Sequence, residues 1–209
     1  MKAFTISFFF FLNSIVYCQI QEGYFQYSID VEAVDSSLKT RQAVGMLRDS
    51  KMELYFTEGK SRMDFKMGQV NEMSVIVDLS KKKVLSLNSS MMGKVARYGS
   101  SDDIPKPQKD TSIQIIYPNE KKKILGYQCK KAILVKDSVE ITYWVTDEIK
   151  VDDRIQQITD PNVPGFPMQF SKIQDGVLMT YEMSNIRESL ENKEELFSVD
   201  VPEGYQLME

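Results

Sequence analysis

The stretch Tyr24-Phe25-Gln26-Tyr27-Ser28-Ile29-Asp30-Val31-Glu32-Ala33 decides the fold class of this 209-residue chain. Its odd-numbered positions from Phe25 to Ala33 are apolar, and its even-numbered positions from Gln26 to Glu32 are polar. A period of two places the apolar side chains on one face of a β-strand, whereas an amphipathic helix needs a period near 3.6. The stretch therefore predicts a strand with one buried face.

The same alternation recurs along most of the chain. Lys51–Thr57 and Ser61–Met67 flank Glu58-Gly59-Lys60, which is a hairpin signal. Further strands are predicted at 73–79, 84–88, 94–98, 111–117, 128–135, 139–146, 167–172 and 177–186, and the chain ends on 196–199 and 204–207. Weak helical stretches are Lys39–Leu47, Asp147–Ile158 and Arg187–Leu196. Roughly ten strands joined as hairpins must curl to bury an apolar face, so we expect a mainly β fold. The predicted architecture is a large curled antiparallel sheet, an incomplete barrel, with a few short helices on its inner side.

The N-terminus has the pattern of a secretory signal peptide covering residues 1–18. Lys2 precedes the apolar run Ala3–Leu12, which is too short for a membrane-spanning helix of about 20 residues. Cleavage is expected between Cys18 and Gln19. The mature chain is then expected to have no transmembrane segment and to be located in the periplasm or secreted. In the alternative, Cys18 is the lipidated first residue of an outer-membrane lipoprotein.

Residues 19–209 are expected to form a single β-rich domain, in which 99–110 (GSSDDIPKPQKD) is a surface loop. The net charge of the whole chain is −4. Without Lys2, the 26 basic residues fall to 25, against 30 acidic residues. This balance argues against nucleic acid or an anionic membrane as a partner.

The residues that common catalytic sites need are missing. The chain has no histidine, which excludes Ser-His-Asp and Cys-His hydrolases and the usual zinc sites. Asp102-Asp103 and Asp152-Asp153 are adjacent acids in loops, whereas general acid–base work needs two carboxylates that converge from separate elements. Since no phosphate-binding glycine loop or nucleophile elbow occurs either, we expect no enzyme, no catalytic residue, no metal and no cofactor.

Two further features leave alternatives open. If Cys18 leaves with the signal peptide, Cys129 is unpaired, and it is either a buried small hydrophobe or a partner for another chain. The lysine runs Lys81–Lys83 and Lys121–Lys123 are either solvated turns that discourage edge pairing or a patch for an anionic partner.

Methionines at strand spacing suggest a ligand-binding surface. A flexible thioether surface adapts to varied apolar ligands, although the same side chains also fill gaps in an ordinary core. The predicted apolar lining comprises Met63, Phe65, Met67, Met73, Trp144, Met168, Phe170, Met179, Tyr181 and Met183.

Four segments resemble a known family. They are Ile124–Ala132 (ILGYQCKKA), Tyr143–Ile149 (YWVTDEI), Gly165–Phe170 (GFPMQF) and the closing Leu196–Tyr205 (LFSVDVPEGY). In this order they resemble the DUF4412 family of Bacteroidetes envelope proteins, which is close in pattern to the GLPGLI proteins. Gly165-Phe166-Pro167-Met168 stands where that family usually has Gly-Leu-Pro-Leu or Gly-Leu-Pro-Gly, and the segment either marks a corner of the fold or a site.

The resemblance implies a fold similar to the periplasmic lipoprotein carriers of the LolA and LolB type, with a curled sheet around an apolar cavity. It supplies no catalytic residues. The leading hypothesis is an exported, non-catalytic envelope protein that binds or carries a lipid or acyl chain under the sheet. The alternative is a structural or interaction protein with a filled core and an envelope protein as its partner.

Overall fold

The computed structural model describes residues 20–105, 108–137, 139–151 and 160–208. The described strands are β1 (Gly23–Ala33), β2 (Lys51–Thr57), β3 (Lys60–Met67), β4 (Asn71–Asp78), β5 (Lys83–Ser90), β6 (Gly93–Ser100), β7 (Gln114–Ile116), β8 (Lys121–Ile124), β9 (Tyr127–Lys136), β10 (Val139–Thr146), β11 (Phe166–Gln174), β12 (Val177–Arg187) and β13 (Gln206–Met208). The described helices are α1 (Leu38–Met46) and α2 (Lys193–Leu196). The predicted mainly β fold is confirmed.

All of these strands belong to one sheet. Its order is β13-β6-β5-β4-β3-β2-β1-β12-β11-β10-β9-β7, and β8 pairs with β9 beside β7. Neighbouring strands are antiparallel except for β13, which runs parallel to β6. Because β13 and β7 lie at opposite ends of this order, the sheet is unclosed. It is the incomplete barrel that the alternation predicts.

The sheet curls strongly toward one face, which we name the concave face. The rings of Phe65 on β3 and Tyr181 on β12 lie 6.4 Å apart, although β2 and β1 separate their strands. Three strand spacings in a flat sheet would amount to about 14 Å. Bulges at Gln26/Tyr27 in β1 and at Trp144/Val145 in β10 add local twist and assist the curl.

Apolar residues are buried on both faces of the sheet, in two separate clusters. The larger cluster lies on the concave face and includes Phe25, Tyr27, Met168 and Phe170. The smaller cluster lies on the opposite, convex face of β4, β5 and β6. Its members are Ile76, Leu85, Leu87, Ala96 and Val199. Successive strand residues point to opposite faces, and the core therefore changes sides of the sheet near β3 and β4.

The C-terminal segment covers the convex cluster. Val199 packs among its apolar side chains, and the backbone oxygen of Val199 accepts a hydrogen bond from the Tyr98 hydroxyl at 3.1 Å. Arg62 donates to the backbone oxygen of Leu196 at 3.3 Å, and β13 then extends the sheet beside β6. The family-like closing motif is thus a strap across the outside of the sheet.

Helix α1 is attached firmly to the turn between β3 and β4. The buried Ser50 hydroxyl donates to the Leu47 oxygen at 2.6 Å and accepts from the Gly68 amide at 2.9 Å. A Cβ atom at Gly68 would lie 1.9 Å from the Met46 oxygen, and the φ of Gly68 is +53°. Only glycine fits there, and the end of α1 consequently lies directly on this turn.

Several element predictions need correction. The helix expected over 39–47 is confirmed as α1, but Arg187–Leu196 is helical only over α2, because Arg187 still belongs to β12. Asp147–Val151 is not helical, and 152–158 lie outside the described residues. Lys121–Lys123 belong to a strand, β8, and not to the solvated turn that was one of their two interpretations. In the predicted loop 99–110, β6 continues to Ser100, and a short 3-10 turn follows at Ser101–Asp103.

Candidate functional site

A row of aromatic rings crosses the concave face. Tyr181 stacks on Phe170 with centroids 4.6 Å apart and planes nearly parallel at 4°. Tyr143 continues the row beyond Phe170 at 6.0 Å, and Phe65 continues it beyond Tyr181 at 6.4 Å. The row joins β10, β11 and β12 to β3 through space. The concave face around it has a filled part of buried side chains and a more open part of half-buried ones.

The filled part holds four of the ten residues predicted as an apolar lining: Met168, Phe170, Tyr181 and Met183. Their side chains are buried and pack with Phe25, Tyr27 and Val145 in the larger cluster. The Tyr27 hydroxyl is also buried and donates to the Pro167 oxygen at 2.8 Å. These four residues therefore belong to the core. This agrees with the alternative interpretation of the methionines, in which they fill gaps in an ordinary core.

The open part holds five more of the ten, which we name the methionine patch: Met63, Phe65, Met67, Met73 and Met179. All five are half-buried. Phe65 lies directly opposite Met73 in the β3–β4 ladder, and the Met179 sulfur lies 4.0 Å from the Tyr181 hydroxyl. The patch therefore presents large, adaptable apolar side chains on a concave surface, next to the aromatic row.

Trp144, the tenth predicted residue, is half-buried and packs against the larger cluster, but it does not belong to the methionine patch. Its neighbour Tyr143 faces Phe170, so Trp144 points to the other side of the sheet. There the ammonium of Lys122 lies 4.6 Å from the Trp144 ring centroid and also donates to the Gln169 side chain. Trp144 thus takes part in a cation–π contact on the convex side.

One cation lies on the concave face beside the methionine patch. Lys172 pairs with Met179 across the β11–β12 ladder, and its ammonium lies 5.6 Å from the Phe170 ring centroid. Burial lowers the pKa of Lys172, while the charge of Asp160 acts in the opposite direction. A ligand with an anionic end would find an exposed cation at this edge of the patch.

Cys129 is buried, and burial raises the pKa of its thiol. It packs within the larger cluster. Of the two interpretations of Cys129, this agrees with the buried small hydrophobe. A protonated, inaccessible thiol is a poor nucleophile.

The other polar features singled out in the sequence lie apart from the patch. Asp102 is exposed and pairs with Lys82 at 3.0 Å, while Asp152 and Asp153 lie outside the described residues. Three surface clefts, of 360, 530 and 450 Å³, are lined by described residues near Arg62, Arg48 and Lys109. None of the ten predicted lining residues belongs to the walls of these three clefts.

Sequence reasoning missed the tip of the β5–β6 hairpin. Met91 and Met92 are 91% and 99% exposed there. The signal was present, because two methionines between Ser90 and Gly93 interrupt an otherwise polar turn. Within the described part of the chain, no helix combines the length and apolarity that crossing a membrane requires.

Comparison with known proteins places these features in a family. No curated protein matches the sequence significantly. Two crystal forms of PNGF-II align with 90% and 89% of this chain at 14% and 13% identity, with TM-scores of 0.45 and 0.41. The chain spans only about a third of the length of these structures, 31% and 30%. The LolA superfamily protein NE2245 from Nitrosomonas europaea aligns over 88% of this chain and 92% of its own, at 10% identity and a TM-score of 0.23.

The sequence model of the domain of unknown function DUF4412 matches residues 38–205. This range contains the four segments whose resemblance was noted in the sequence, and it runs from α1 through the C-terminal strap to Tyr205. The chain therefore belongs to the DUF4412 family.

Proposed function

We propose that this protein binds the acyl chain of a lipid or a similar apolar ligand on the concave face of its sheet, and that it acts by binding and not by catalysis. The observation that carries the proposal is the methionine patch. Five large apolar side chains remain half-buried on a concave surface, while Met168 and Met183 of the same face are buried in the larger cluster.

The composition of the patch suits a flexible hydrocarbon chain. Methionine side chains adjust their shape at small cost, so a methionine surface accepts apolar ligands of different length and branching. Covering half-buried apolar surface is favourable by about 25 cal/mol per Å². The ammonium of Lys172 beside Met179 would favour a ligand whose polar end is anionic.

The test compares binding by the wild type and by a Met67→Glu/Met73→Glu variant. These two residues are chosen because they belong to the patch, whereas Met63, Phe65 and Met179 pack against the larger cluster. Native mass spectrometry should detect co-purified lipid on the wild type. Titration with 11-(dansylamino)undecanoic acid should show at least about tenfold weaker binding to the double variant, which corresponds to 1.4 kcal/mol.

The matched control is Met208→Glu, since Met208 is an exposed methionine on the edge strand β13. It receives the same new charge on the edge strand, three strands beyond Met73 on β4, and it should bind the probe like the wild type. Equal binding by all three proteins would contradict the proposal. A wild type that neither carries lipid nor binds the probe would favour the alternative, an interaction protein with a filled core.

We further propose that the protein is exported, on the strength of the signal-peptide pattern in residues 1–18. Sequencing the N-terminus of protein isolated from the producing cell tests this proposal. We expect a mature chain that begins at Gln19, while a blocked, lipid-bearing Cys18 would indicate a lipoprotein. An intact Met1 would refute export.

A further inference from the structure

Within the described part of the chain, two buried tyrosines of the aromatic row lack an oxygen acceptor for their hydroxyl groups. Tyr143 and Tyr181 are only 4% and 6% exposed. Among the described residues, the Tyr143 hydroxyl donates to no group, and the Tyr181 hydroxyl reaches only the Met179 sulfur, at 4.0 Å, which is a weak acceptor. Buried tyrosine hydroxyls usually have a partner, as Tyr27 has in the Pro167 oxygen at 2.8 Å.

Both hydroxyls remain protonated at neutral pH. Burial raises the pKa of Tyr143 to about 12, and the charge of Asp160 acts in the same direction. Burial also raises the pKa of Tyr181. A protonated phenol donates a hydrogen bond, and bonds to a charged acceptor are the stronger ones. Two such donors in a mainly apolar environment therefore favour an acceptor that carries negative charge.

Lys172 places a positive charge beside these hydroxyls. It follows Phe170, the ring that stacks between the two tyrosines, by two positions in β11, so both side chains lie on the concave face. In the ladder it lies opposite Met179, whose sulfur is the atom that the Tyr181 hydroxyl reaches. We name Tyr143, Tyr181 and Lys172 the donor cluster. It lies where the aromatic row meets the methionine patch.

An acidic residue lies near the donor cluster. The charge of Asp160 acts on the pKa of Tyr143 and on that of Lys172, so both groups lie close to this carboxylate. The carboxylate accepts hydrogen bonds from the Asn162 backbone amide at 2.9 Å and from the Asn162 side chain at 2.6 Å. It acts on Lys172 through charge and not through a hydrogen bond. Asp160 therefore leaves the donors of the cluster unoccupied, but it weakens their attraction for an anion.

We propose that the donor cluster binds the anionic head group, a carboxylate or a phosphate, of a single-chain amphiphile whose hydrocarbon chain lies on the methionine patch. This inference rests on the proposed function and adds the class of ligand, namely a fatty acid or an alkyl phosphate and not a neutral lipid. An oxyanion has several lone pairs and accepts hydrogen bonds from two hydroxyls and an ammonium at once. An alcohol offers one uncharged oxygen, and a quaternary ammonium offers no acceptor.

The test compares competitors that share a decyl chain and differ in the head group. The neutral fluorescent probe N-phenyl-1-naphthylamine is bound to the purified protein and displaced with decanoate, decyl phosphate, 1-decanol or decyltrimethylammonium. At least one of the two anions should displace the probe at a concentration about fivefold lower than 1-decanol does, and the better of the two identifies the head group as carboxylate or phosphate. If neither anion competed better than 1-decanol, this inference would be wrong and the proposed function would stand. A wild type that binds neither the probe nor any of the four compounds would overturn both.

Substitutions in the donor cluster separate head-group recognition from a structural role. Lys172→Met and Tyr181→Phe should each weaken competition by the preferred anion about fivefold, and they should change competition by 1-decanol less than about twofold. Lys172→Arg keeps the charge and should restore the preference for the anion. Asp160→Asn removes the nearby negative charge and should strengthen competition by the anion.

The matched control is Lys83→Met. The Lys83 ammonium also lies over an aromatic ring, 4.7 Å from the Tyr98 centroid, but at the start of β5 and away from the donor cluster. This control should prefer the anion as the wild type does. If Lys172→Met weakened competition by the anion and by 1-decanol equally, or weakened neither, the donor cluster would not recognise the head group and the proposal would be refuted.

Discussion

Replacing Val199 with aspartate is expected to lower the free energy of unfolding by more than about 4 kcal/mol, or to prevent folding. Val199 is 2% exposed and packs among Ile76, Leu85, Leu87 and Ala96. A carboxylate there would be buried without a cation or a hydrogen-bond donor of its own. Since small domains are stable by only about 5–15 kcal/mol, a single charge in this cluster is a large fraction of the total.

The measurement is urea-induced unfolding followed by far-ultraviolet circular dichroism. The matched control is Leu207→Asp, which adds the same charge to an exposed position on β13. We expect the control to change the free energy of unfolding by less than about 1 kcal/mol. If Val199→Asp were as stable as the control, the C-terminal strap would not be part of the folded core.

The strap also explains why the convex face of β4–β6 carries apolar residues. In β4, Met73 and Val75 face the concave side, whereas Ile76 faces the strap. Both faces of this strand are therefore partly apolar. Without the strap, the sheet would expose Leu85 and Leu87 to water. The closing motif is therefore needed to bury strands that lie about a hundred residues earlier in the chain.

Local patterning was sufficient to predict the strands but not the side on which each part of the core lies. The alternation correctly predicts that Phe25, Tyr27 and Ile29 of β1 face the core, whereas Ala33 at the end of the strand is exposed. The same alternation in β5 identifies Leu85 and Leu87 as one face. It does not reveal that this face is convex, because the location depends on how the distant strap crosses the sheet.

The predicted lining shows a related limit. Met168 and Met183 are methionines at alternating strand positions, as are Met67 and Met73, yet the first pair is buried in the core and the second pair is half-buried. The difference depends on the curl of the sheet, which brings side chains of distant strands together, as with Tyr181 on β12 and Phe65 on β3. Trp144 adjoins Tyr143 in a strand, and because their side chains face opposite sides, only one of the two could belong to a single lining.

Replacing Phe170 with alanine should show that the filled part of the concave face is core. The Phe170 ring packs on Tyr181 at 4.6 Å, Tyr27 at 5.8 Å and Tyr143 at 6.0 Å. Loss of this ring would leave a cavity within the aromatic row. It should lower the free energy of unfolding by about 3–5 kcal/mol. The measurement is again unfolding in urea.

Met73→Ala is the matched comparison, because Met73 is an apolar residue of the same concave face that remains half-buried. It should lower the free energy of unfolding by less than about 1.5 kcal/mol, since much of its side chain is already in contact with water. Its effect should appear instead as weaker binding of the dansyl fatty acid. Equal destabilisation by the two substitutions would mean that the methionine patch is ordinary core, and the concave face would then offer no open surface to a ligand.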